Sequence, residues 1–241
     1  MPRDQKDWNR IELKYRMPAA RIPEWVAALG DYVRPDPNDA DGRGYPIYSI
    51  YADSPGLTFF WEKIEGLKYR RKVRFRRYGS SPDVWIEIKQ RIDRTVQKRR
   101  IRWPVERVER AFFGGGLDES ALPEHPDRIL SEVLFLWRTH GLEPTMGTSY
   151  RRRAFFARGE SDLRITLDSR VCFHPTALTL GERSRPEKYI VEPEESILEI
   201  KYTHSVPLWL CRLVEHFELS LVRLSKYCTA VDKQRFRGRL T

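Results

Sequence analysis

Positively charged side chains alternate with apolar ones in the run Lys72–Tyr78, and this alternation constrains the fold more than any other feature of the chain. Arg74 and Arg76 share one parity, whereas Val73 and Phe75 share the other. Successive side chains of a β-strand point to opposite faces of the sheet. The run therefore predicts a strand with one cationic face and one apolar face.

The same alternation recurs along most of the chain. In a second run, Val84–Lys89, Glu87 and Lys89 share one parity, and the turn residues at 79–83 that precede the run predict a β-hairpin. Five further runs repeat the pattern, near residues 11–15, 98–103, 150–155, 163–168 and 198–202. On this interpretation the shared polar face carries nine cations and four acids: Lys14, Arg74, Arg76, Lys89, Lys98, Arg100, Arg152, Arg164 and Lys201, against Glu12, Glu87, Asp168 and Glu199.

Two architectures accommodate strands of this kind. An open sheet would place its apolar face on a core and its charged face in water, which suits any single strand. Seven strands with the same cationic face are better explained by a closed barrel, because closure also removes the exposed strand edges. Cations enclosed in a barrel repel one another, so the interior needs an anionic occupant, and a polyanion is the natural candidate. The predicted fold class is α+β, a closed antiparallel β-barrel with a basic interior and helices packed outside.

Apolar residues at helical spacing predict four helices for the outer layer. They cover residues 22–33, 104–112, 127–141 and 210–224, and the last is predicted to be the longest. Phe59–Trp61 is predicted to be a loop or a short strand. Besides the hairpin and the run at 98–103, strands are predicted at 10–16, 45–53, 149–157, 162–170 and 197–203.

Length and composition set the remaining limits. The chain has 241 residues and a formal net charge of +10, which favours an anionic partner but does not determine the fold. Residues 1–9 are expected to be frayed or disordered, and residues 10–235 to form a single domain. Cys172, Cys211 and Cys228 show no paired or metal-type spacing. Because there is also no signal peptide and no apolar run of transmembrane length, we expect a cytoplasmic protein without a membrane span.

Eight short motifs occur in a fixed order between residues 10 and 228. They are Glu12–Tyr15, Lys72–Arg76, Glu87–Lys89, Lys98–Arg99, Tyr150–Phe155, Arg164–Asp168, Leu198–Lys201 and Ser225–Tyr227. Together they resemble the VTC domain, the catalytic domain of the polyphosphate polymerases of the vacuolar transporter chaperone family, which belongs to the triphosphate tunnel metalloenzymes. Each motif alone is weak, but eight in the family's order are specific. Arg223 departs from the pattern, because relatives often place a lysine there.

The resemblance implies an eight-stranded tunnel that binds triphosphate groups on inward cations and a divalent metal, Mn²⁺ or Mg²⁺, on inward glutamates. Glu199 matches the family's metal ligand, with Glu12 and Glu87 as weaker candidates. The residues expected to act in catalysis are Arg74, Arg76, Lys89, Glu199 and Lys201. Substrate binding is expected from Lys14, Arg74, Arg76, Lys89, Lys98, Arg100, Arg152, Arg164, Lys201, Ser225 and Lys226.

The activity that the resemblance implies is a polyphosphate polymerase, which transfers the γ-phosphate of ATP to a growing polyphosphate chain. Phosphoryl transfer depends mainly on positioning and charge stabilisation, which a cage of cations with a metal supplies. Two alternatives stay open: a tripolyphosphate or nucleoside triphosphate hydrolase, and a polyphosphate-binding module without turnover. Nucleic acid is not expected as a partner, because binding it does not require glutamates among the cations. A membrane partner stays open.

Overall fold

The computed structural model describes residues 11–39, 41–93, 95–159, 162–176, 178–181 and 188–240, so the predicted frayed segment 1–9 lies outside the described residues. Within these ranges the strands join into one sheet. The strands are β1 (Ile11–Pro18), β2 (Val33–Pro35), β3 (Tyr45–Asp53), β4 (Tyr69–Tyr78), β5 (Asp83–Ile92), β6 (Thr95–Pro104), β7 (Glu143–Ala157), β8 (Arg164–His174), β9 (Lys188–Tyr189) and β10 (Glu195–Tyr202). The helices are α1 (Ile22–Leu29), α2 (Thr58–Ile64), α3 (Val105–Phe112), α4 (Arg128–His140), α5 (Leu208–His216) and α6 (Lys226–Val231).

The main path of the sheet runs β1-β10-β8-β7-β3-β4-β5-β6, and β2 and β9 attach to β7 and β8. Neighbouring strands pair antiparallel throughout this path. Register within the central hairpin follows the predicted alternation, with Arg74 opposite Glu87 and Val73 opposite Ile88. The predicted α+β class with an antiparallel sheet is therefore confirmed.

The sheet rolls up but does not close by strand pairing. Lys89 Nζ on β5 lies 3.5 Å from a carboxylate oxygen of Glu12 on β1, although five strands separate β5 from β1 along the path. Among the described residues, however, no backbone pairing joins β1 to β6. The free edge of β1 is occupied instead by a non-strand segment, because the Val222 amide donates to the Lys14 carbonyl at 2.8 Å. The predicted closed barrel is therefore corrected to a rolled sheet with a concave inner face.

Four helices cover the convex outer face of the sheet, as predicted. Trp25 of α1 and Leu210 of α5 belong to the same buried core as Leu198 on β10. On the other half of the sheet, Phe112 of α3 packs on Phe75 of β4, with ring centroids 5.0 Å apart. These two cores bury the apolar parity of the strands and so direct the charged parity inward.

Helix α6 does not follow the prediction that helices lie outside. Tyr227 and Val231 pack in one buried core with Tyr51 of β3 and Ile197 of β10, which project from the concave face. The rings of Tyr51 and Tyr227 stack with centroids 4.9 Å apart. Helix α6 therefore covers one end of the concave face from inside.

The prediction of one long final helix is wrong. Helix α5 ends at His216, and Glu218 adopts a positive φ of 51° that breaks the helix. The following residues run along the edge of β1, where Leu221 forms a bridge with Tyr15. The apolar stripe of the sequence was therefore split between a helix and an edge segment, and α4 is longer than α5.

The prediction for Phe59–Trp61 is also wrong, because these residues lie in helix α2. The buried carboxylate of Asp53 accepts hydrogen bonds from the amides of Phe59 and Phe60, at 2.8 and 2.9 Å. A carboxylate that accepts hydrogen bonds from the free amides of the first turn stabilises the start of a helix. The same carboxylate accepts the Tyr227 hydroxyl at 2.5 Å, so Asp53 ties α2 to α6.

We expect Tyr227→Phe to lower the free energy of unfolding by about 1–3 kcal/mol, because it removes a hydroxyl donor from a buried carboxylate. Tyr32→Phe is the matched control, since the Tyr32 ring is exposed. Chemical denaturation of both variants measures the difference. Equal stability of the two variants would contradict the role assigned to the Asp53–Tyr227 bond.

Candidate functional site

The strand register places all the predicted cations and acids on the concave face. Glu12 lies opposite Lys201, and Lys201 lies opposite Arg164 on the next strand. Lys89 on β5 lies directly opposite Lys72 on β4 and Lys98 on β6. The interpretation of one shared polar face is therefore confirmed, whereas the roles of its residues remain predictions.

Glu199 is the centre of the largest charge cluster on this face. Its side chain is buried, and four cations surround it. Burial alone would raise the pKa of Glu199, but the neighbouring cations hold that pKa well below its usual range. The contacts are Lys201 Nζ at 2.9 Å, Lys226 Nζ at 3.2 Å, Lys14 Nζ at 3.5 Å and an Arg152 guanidinium nitrogen at 3.7 Å.

Asp168 fixes two of these four cations in place. Arg152 donates to both carboxylate oxygens of Asp168, at 2.6 and 2.7 Å, and Lys226 donates to one of them at 2.6 Å. Asp168 is fully buried. Because bidentate pairing of arginine with a carboxylate is geometrically specific, Asp168 orients Arg152 and Lys226 toward Glu199.

Glu87 organises the other half of the face in the same manner. One of its carboxylate oxygens accepts from Arg74 Nε at 2.5 Å, and the other lies 2.7 Å from Lys98 Nζ. Burial would raise the pKa of Glu87, but Arg74, Arg76 and Lys98 hold it below its usual range. Glu87 is therefore ionised and neutralises part of the charge of two predicted phosphate ligands.

Arg76 differs from Arg74, Arg152 and Arg164 because no carboxylate contacts its guanidinium directly. Its side chain is buried, with 6% exposed, and its Nε donates to Ser49 Oγ at 3.3 Å. Within the described part of the chain, no carboxylate lies at ion-pair distance from it. A buried guanidinium without a counterion is energetically costly, so Arg76 favours an anion on this face.

Three buried hydroxyl groups add to the polar lining. Thr148, Tyr150 and Thr166 project from the same face and find no hydrogen-bond partner among the described residues. Tyr150 also lies beside two cations, with Lys226 Nζ 4.7 Å from its ring centroid. Hydroxyl groups donate to anionic oxygen, so they complement the cations around them.

The remaining predicted residues lie at the margins of these clusters. Arg164 contacts the carboxylate of Asp36 at 3.1 Å, and the Arg100 guanidinium lies 4.2 Å above the ring of Trp85. Ser225 accepts a hydrogen bond from Lys72 Nζ at 2.7 Å. The structure therefore brings Lys14, Arg152, Glu199, Lys201 and Lys226 together, and it places Arg164 and Arg100 further out.

The sequence analysis missed Lys72 as a site residue. Lys72 shares the parity of Arg74 and Arg76 and contacts both Ser225 and Cys228 of the segment around α6. Strand parity alone would have included it. Strand parity could not have identified Asp36, the partner of Arg164. Asp36 lies in the loop after β2, and the position of that loop depends on tertiary packing.

The metal prediction can be tested against the positions of the acids. The described residues contain no group of three or more side chains of metal-binding type that could hold an ion. Glu12 and Glu199 are nevertheless neighbours, because Lys14 Nζ lies 3.0 Å from one and 3.5 Å from the other. Two ionised carboxylates that leave further positions for phosphate oxygens fit Mg²⁺ or Mn²⁺. Glu87 lies in the other charge cluster, where its two oxygens contact Arg74 and Lys98, and its metal role remains a prediction.

The geometry is that of an α+β domain with a rolled antiparallel sheet, a cationic inner face that contains buried carboxylates, and a helical outer layer. A model of the VTC domain family matches residues 9–234. The chain belongs to the VTC domain family, as the eight motifs predicted.

One curated relative is similar over most of the chain. It is the vacuolar transporter chaperone complex subunit 4 of Schizosaccharomyces pombe, with 26% identity over 225 residues. The alignment covers 77% of this chain but only 31% of the relative, so the chain spans about a third of the length of that protein.

Solved structures of similar shape include a putative adenylate cyclase from Vibrio parahaemolyticus, with a TM-score of 0.49 and 14% identity, covering 93% of this chain and 98% of that one. A putative adenylyl cyclase from Hippeastrum, described as having a dominant triphosphatase activity, has a TM-score of 0.48 and 14% identity. It covers 93% of this chain and 95% of that one. TM-scores of this size are too low to carry the fold assignment, which rests on the strand register.

Of the helices in the described ranges, none combines the length and the apolar character that crossing a bilayer requires.

Two groups on the concave face change charge near pH 8. Burial, together with the nearby Arg74, lowers the pKa of Lys98 to about 8, although Glu87 opposes this shift. Burial would raise the pKa of Tyr78, but Arg76 beside it brings that pKa down to about 8. As pH rises through this value, Lys98 loses its positive charge and Tyr78 gains a negative one. Both changes make the face less cationic.

We therefore expect the affinity for tripolyphosphate to fall by about tenfold between roughly pH 7 and pH 9. The affinity of the double variant Lys98→Arg/Tyr78→Phe should fall much less, because the charges at positions 98 and 78 do not change across this pH range. Calorimetric titration of both proteins with the same ligand cancels the ionisation of the ligand itself. Identical pH profiles for the two proteins would contradict the assignment of these two groups.

Proposed function

We propose that the protein is a polyphosphate polymerase that transfers the γ-phosphate of ATP to a growing polyphosphate chain on its concave face. Membership of the VTC domain family and the similarity to a vacuolar transporter chaperone subunit support this proposal. A cytoplasmic location remains a prediction.

The observation that carries the proposal is the excess of enclosed cations over acids. Lys72 and Lys226 bring the nine cations of the predicted face to eleven, against its four predicted acids and Asp36, which pairs with Arg164. Glu87, Asp168 and Glu199 each neutralise neighbouring cations, but Arg76 is buried without a carboxylate. A chain of phosphates supplies regularly spaced negative charge, which matches cations that repeat along strands.

Spacing along β4 suits neighbouring phosphate groups. Arg74 and Arg76 are two residues apart, which corresponds to roughly 7 Å along a strand. Each guanidinium can bind two oxygens of one phosphate. Because Glu87 holds Arg74 and Ser49 holds Arg76, both donors are oriented before a ligand binds. Such preorganised charge lowers the barrier to phosphoryl transfer.

The cluster around Glu199 is the proposed place of reaction. Lys14, Lys201, Arg152 and Lys226 surround this carboxylate and would contact the reacting phosphate oxygens. When bound, a divalent metal on Glu12 and Glu199 supplies positive charge that neutralises the transferring phosphate. Asp168 keeps Arg152 and Lys226 at the edge of this position, and Lys89, which contacts Glu12 at 3.5 Å, closes it from the opposite strand.

The product decides between polymerase and hydrolase. Purified protein is incubated with ATP and either Mn²⁺ or Mg²⁺, and polyphosphate and orthophosphate are measured separately. The proposal predicts polyphosphate as a product. Orthophosphate as the sole product would indicate a hydrolase instead of a polymerase. The absence of both products would indicate a binding module without turnover.

Two substitutions separate the roles of the inner residues. Glu199→Gln should lower turnover by about a thousandfold or more, because it removes the charge of a metal ligand. Binding of tripolyphosphate without metal should survive in this variant or become tighter, since one inward negative charge is lost. Arg76→Gln should weaken the same binding by at least roughly thirtyfold, because it removes a buried cation that the anion would pair with.

Arg77→Gln provides the matched control for charge. Arg77 follows Arg76 directly but points to the outer face, where it donates to the Ser81 and Leu180 carbonyls. Its substitution should leave the affinity for tripolyphosphate within about twofold, since exposed charges act weakly at a distance. An equal loss of tripolyphosphate affinity in Arg76→Gln and Arg77→Gln would show that binding depends only on the net charge of the protein.

A further inference from the structure

A second group of cations lies at the end of the sheet beside α6. None of its members belongs to the eight motifs, although relatives often place a lysine at the position of Arg223. We call it the end patch and define it as Lys63, Arg70, Arg91 and Arg223. Arg70 and Arg91 lie directly opposite each other on β4 and β5. They share the parity of Lys72 and Lys89, so they continue the cationic rows of the concave face to the end of the sheet.

Lys63 and Arg223 complete the end patch from two other elements. Lys63 lies on α2, and Arg223 precedes Ser225, which accepts a hydrogen bond from Lys72. Lys72 Nζ lies 3.6 Å from the sulfur atom of Cys228 on α6, so the β4 row of cations reaches the segment that carries Arg223. Four segments distant in sequence therefore direct cations to one place.

The charge of the end patch is not balanced by acids. In the part of the chain that the structure describes, none of the four cations forms an ion pair with a carboxylate. Burial and the repulsion of Arg70, Lys72 and Arg223 lower the pKa of Lys63, and burial and Arg91 lower that of Arg70. Arg91 and Arg223 are exposed, and Lys63 and Arg70 are half-buried, so a ligand can reach them.

Position suggests which anion fits the end patch. Arg70 lies two residues beyond Lys72 and six beyond Arg76, or roughly 7 and 20 Å along the strand. A single triphosphate held by Arg74 and Arg76 would therefore not extend to Arg70 and Arg91. A longer phosphate chain that follows the same row of cations would extend to them.

We propose that the end patch binds the part of a polyphosphate chain that extends beyond the inner face, and so favours long chains over tripolyphosphate. This inference rests on the proposed function. Such binding would hold a growing chain while its end is extended. A hydrolase of triphosphate would gain nothing from it, because its substrate does not extend that far.

The test compares two ligands and two double variants. Tripolyphosphate and a long-chain linear polyphosphate are titrated at equal ionic strength into wild-type protein, into Arg70→Gln/Arg91→Gln and into Arg128→Gln/Arg212→Gln. The last variant is the matched control, because its two arginines are exposed on the outer helices α4 and α5. Thermal unfolding verifies that all three proteins are folded.

We expect Arg70→Gln/Arg91→Gln to weaken binding of the long chain by about tenfold and to change binding of tripolyphosphate by less than about twofold. The control variant Arg128→Gln/Arg212→Gln should change the affinity for either ligand by less than about twofold. Equal losses for both ligands, or a loss no larger than that of the control, would overturn the end patch while leaving the proposed function intact. Wild-type protein that binds neither ligand would instead overturn the proposed function.

A different class of polyanion is excluded in the same experiment. Single-stranded DNA of matched total charge is titrated into wild-type protein and into Arg70→Gln/Arg91→Gln. The proposal predicts weak binding of DNA and little change on substitution. A loss of DNA affinity as large as the loss for polyphosphate would overturn the assignment of the end patch to polyphosphate.

Discussion

Repulsion among the cations of the concave face is the constraint on which the other features of the structure depend. Strand register fixes the positions of Lys72 and of the nine cations predicted on this face, and Lys226 joins them from α6, so these side chains cannot move apart. Glu87, Asp168 and Glu199 reduce the repulsion, and the cations in turn hold the pKa values of these three acids below their usual range although burial would raise them. These acids therefore have two functions: they permit the domain to fold without a ligand, and they hold arginines and lysines in fixed positions. The positive charge that remains is what an anionic ligand can use.

The outer layer and helix α6 explain how such a face is maintained. Packing of Phe75, Leu198 and their neighbours on the outer helices fixes which parity of each strand faces inward. Helix α6 then enters the concave side and contributes Lys226 to the cluster around Glu199, while Tyr227 anchors the helix on Asp53. The segment before α6 also pairs with the edge of β1, which is why that edge is not available for closing the sheet by strand pairing. One C-terminal segment thus supplies a site residue, a cover for one end and protection of a strand edge.

The sequence predicted the parts of this arrangement that follow from local periodicity. Alternation identified the faces of Arg74, Glu87 and Glu199 correctly, because side-chain direction in a strand depends only on parity. It could not predict that the stripe from Leu210 to Leu224 would break after His216, since an apolar residue serves a helix and an edge segment equally well. Nor could it predict which cations each carboxylate contacts, such as Arg74 and Lys98 at Glu87, because those contacts depend on how the sheet rolls up. The contacts of Asp36 and Asp53 likewise connect residues far apart in sequence.

The central claim is that the concave face is built for a polyanion, and the most direct test is the thermal stability of the protein in the absence of metal. A ligand that binds only the folded state raises the melting temperature with its concentration. The account predicts that tripolyphosphate raises the melting temperature of the wild-type protein well above the value in sodium chloride of equal ionic strength, because it bridges several enclosed cations at once. An equal rise in both salts would show only screening of charge and would contradict the account.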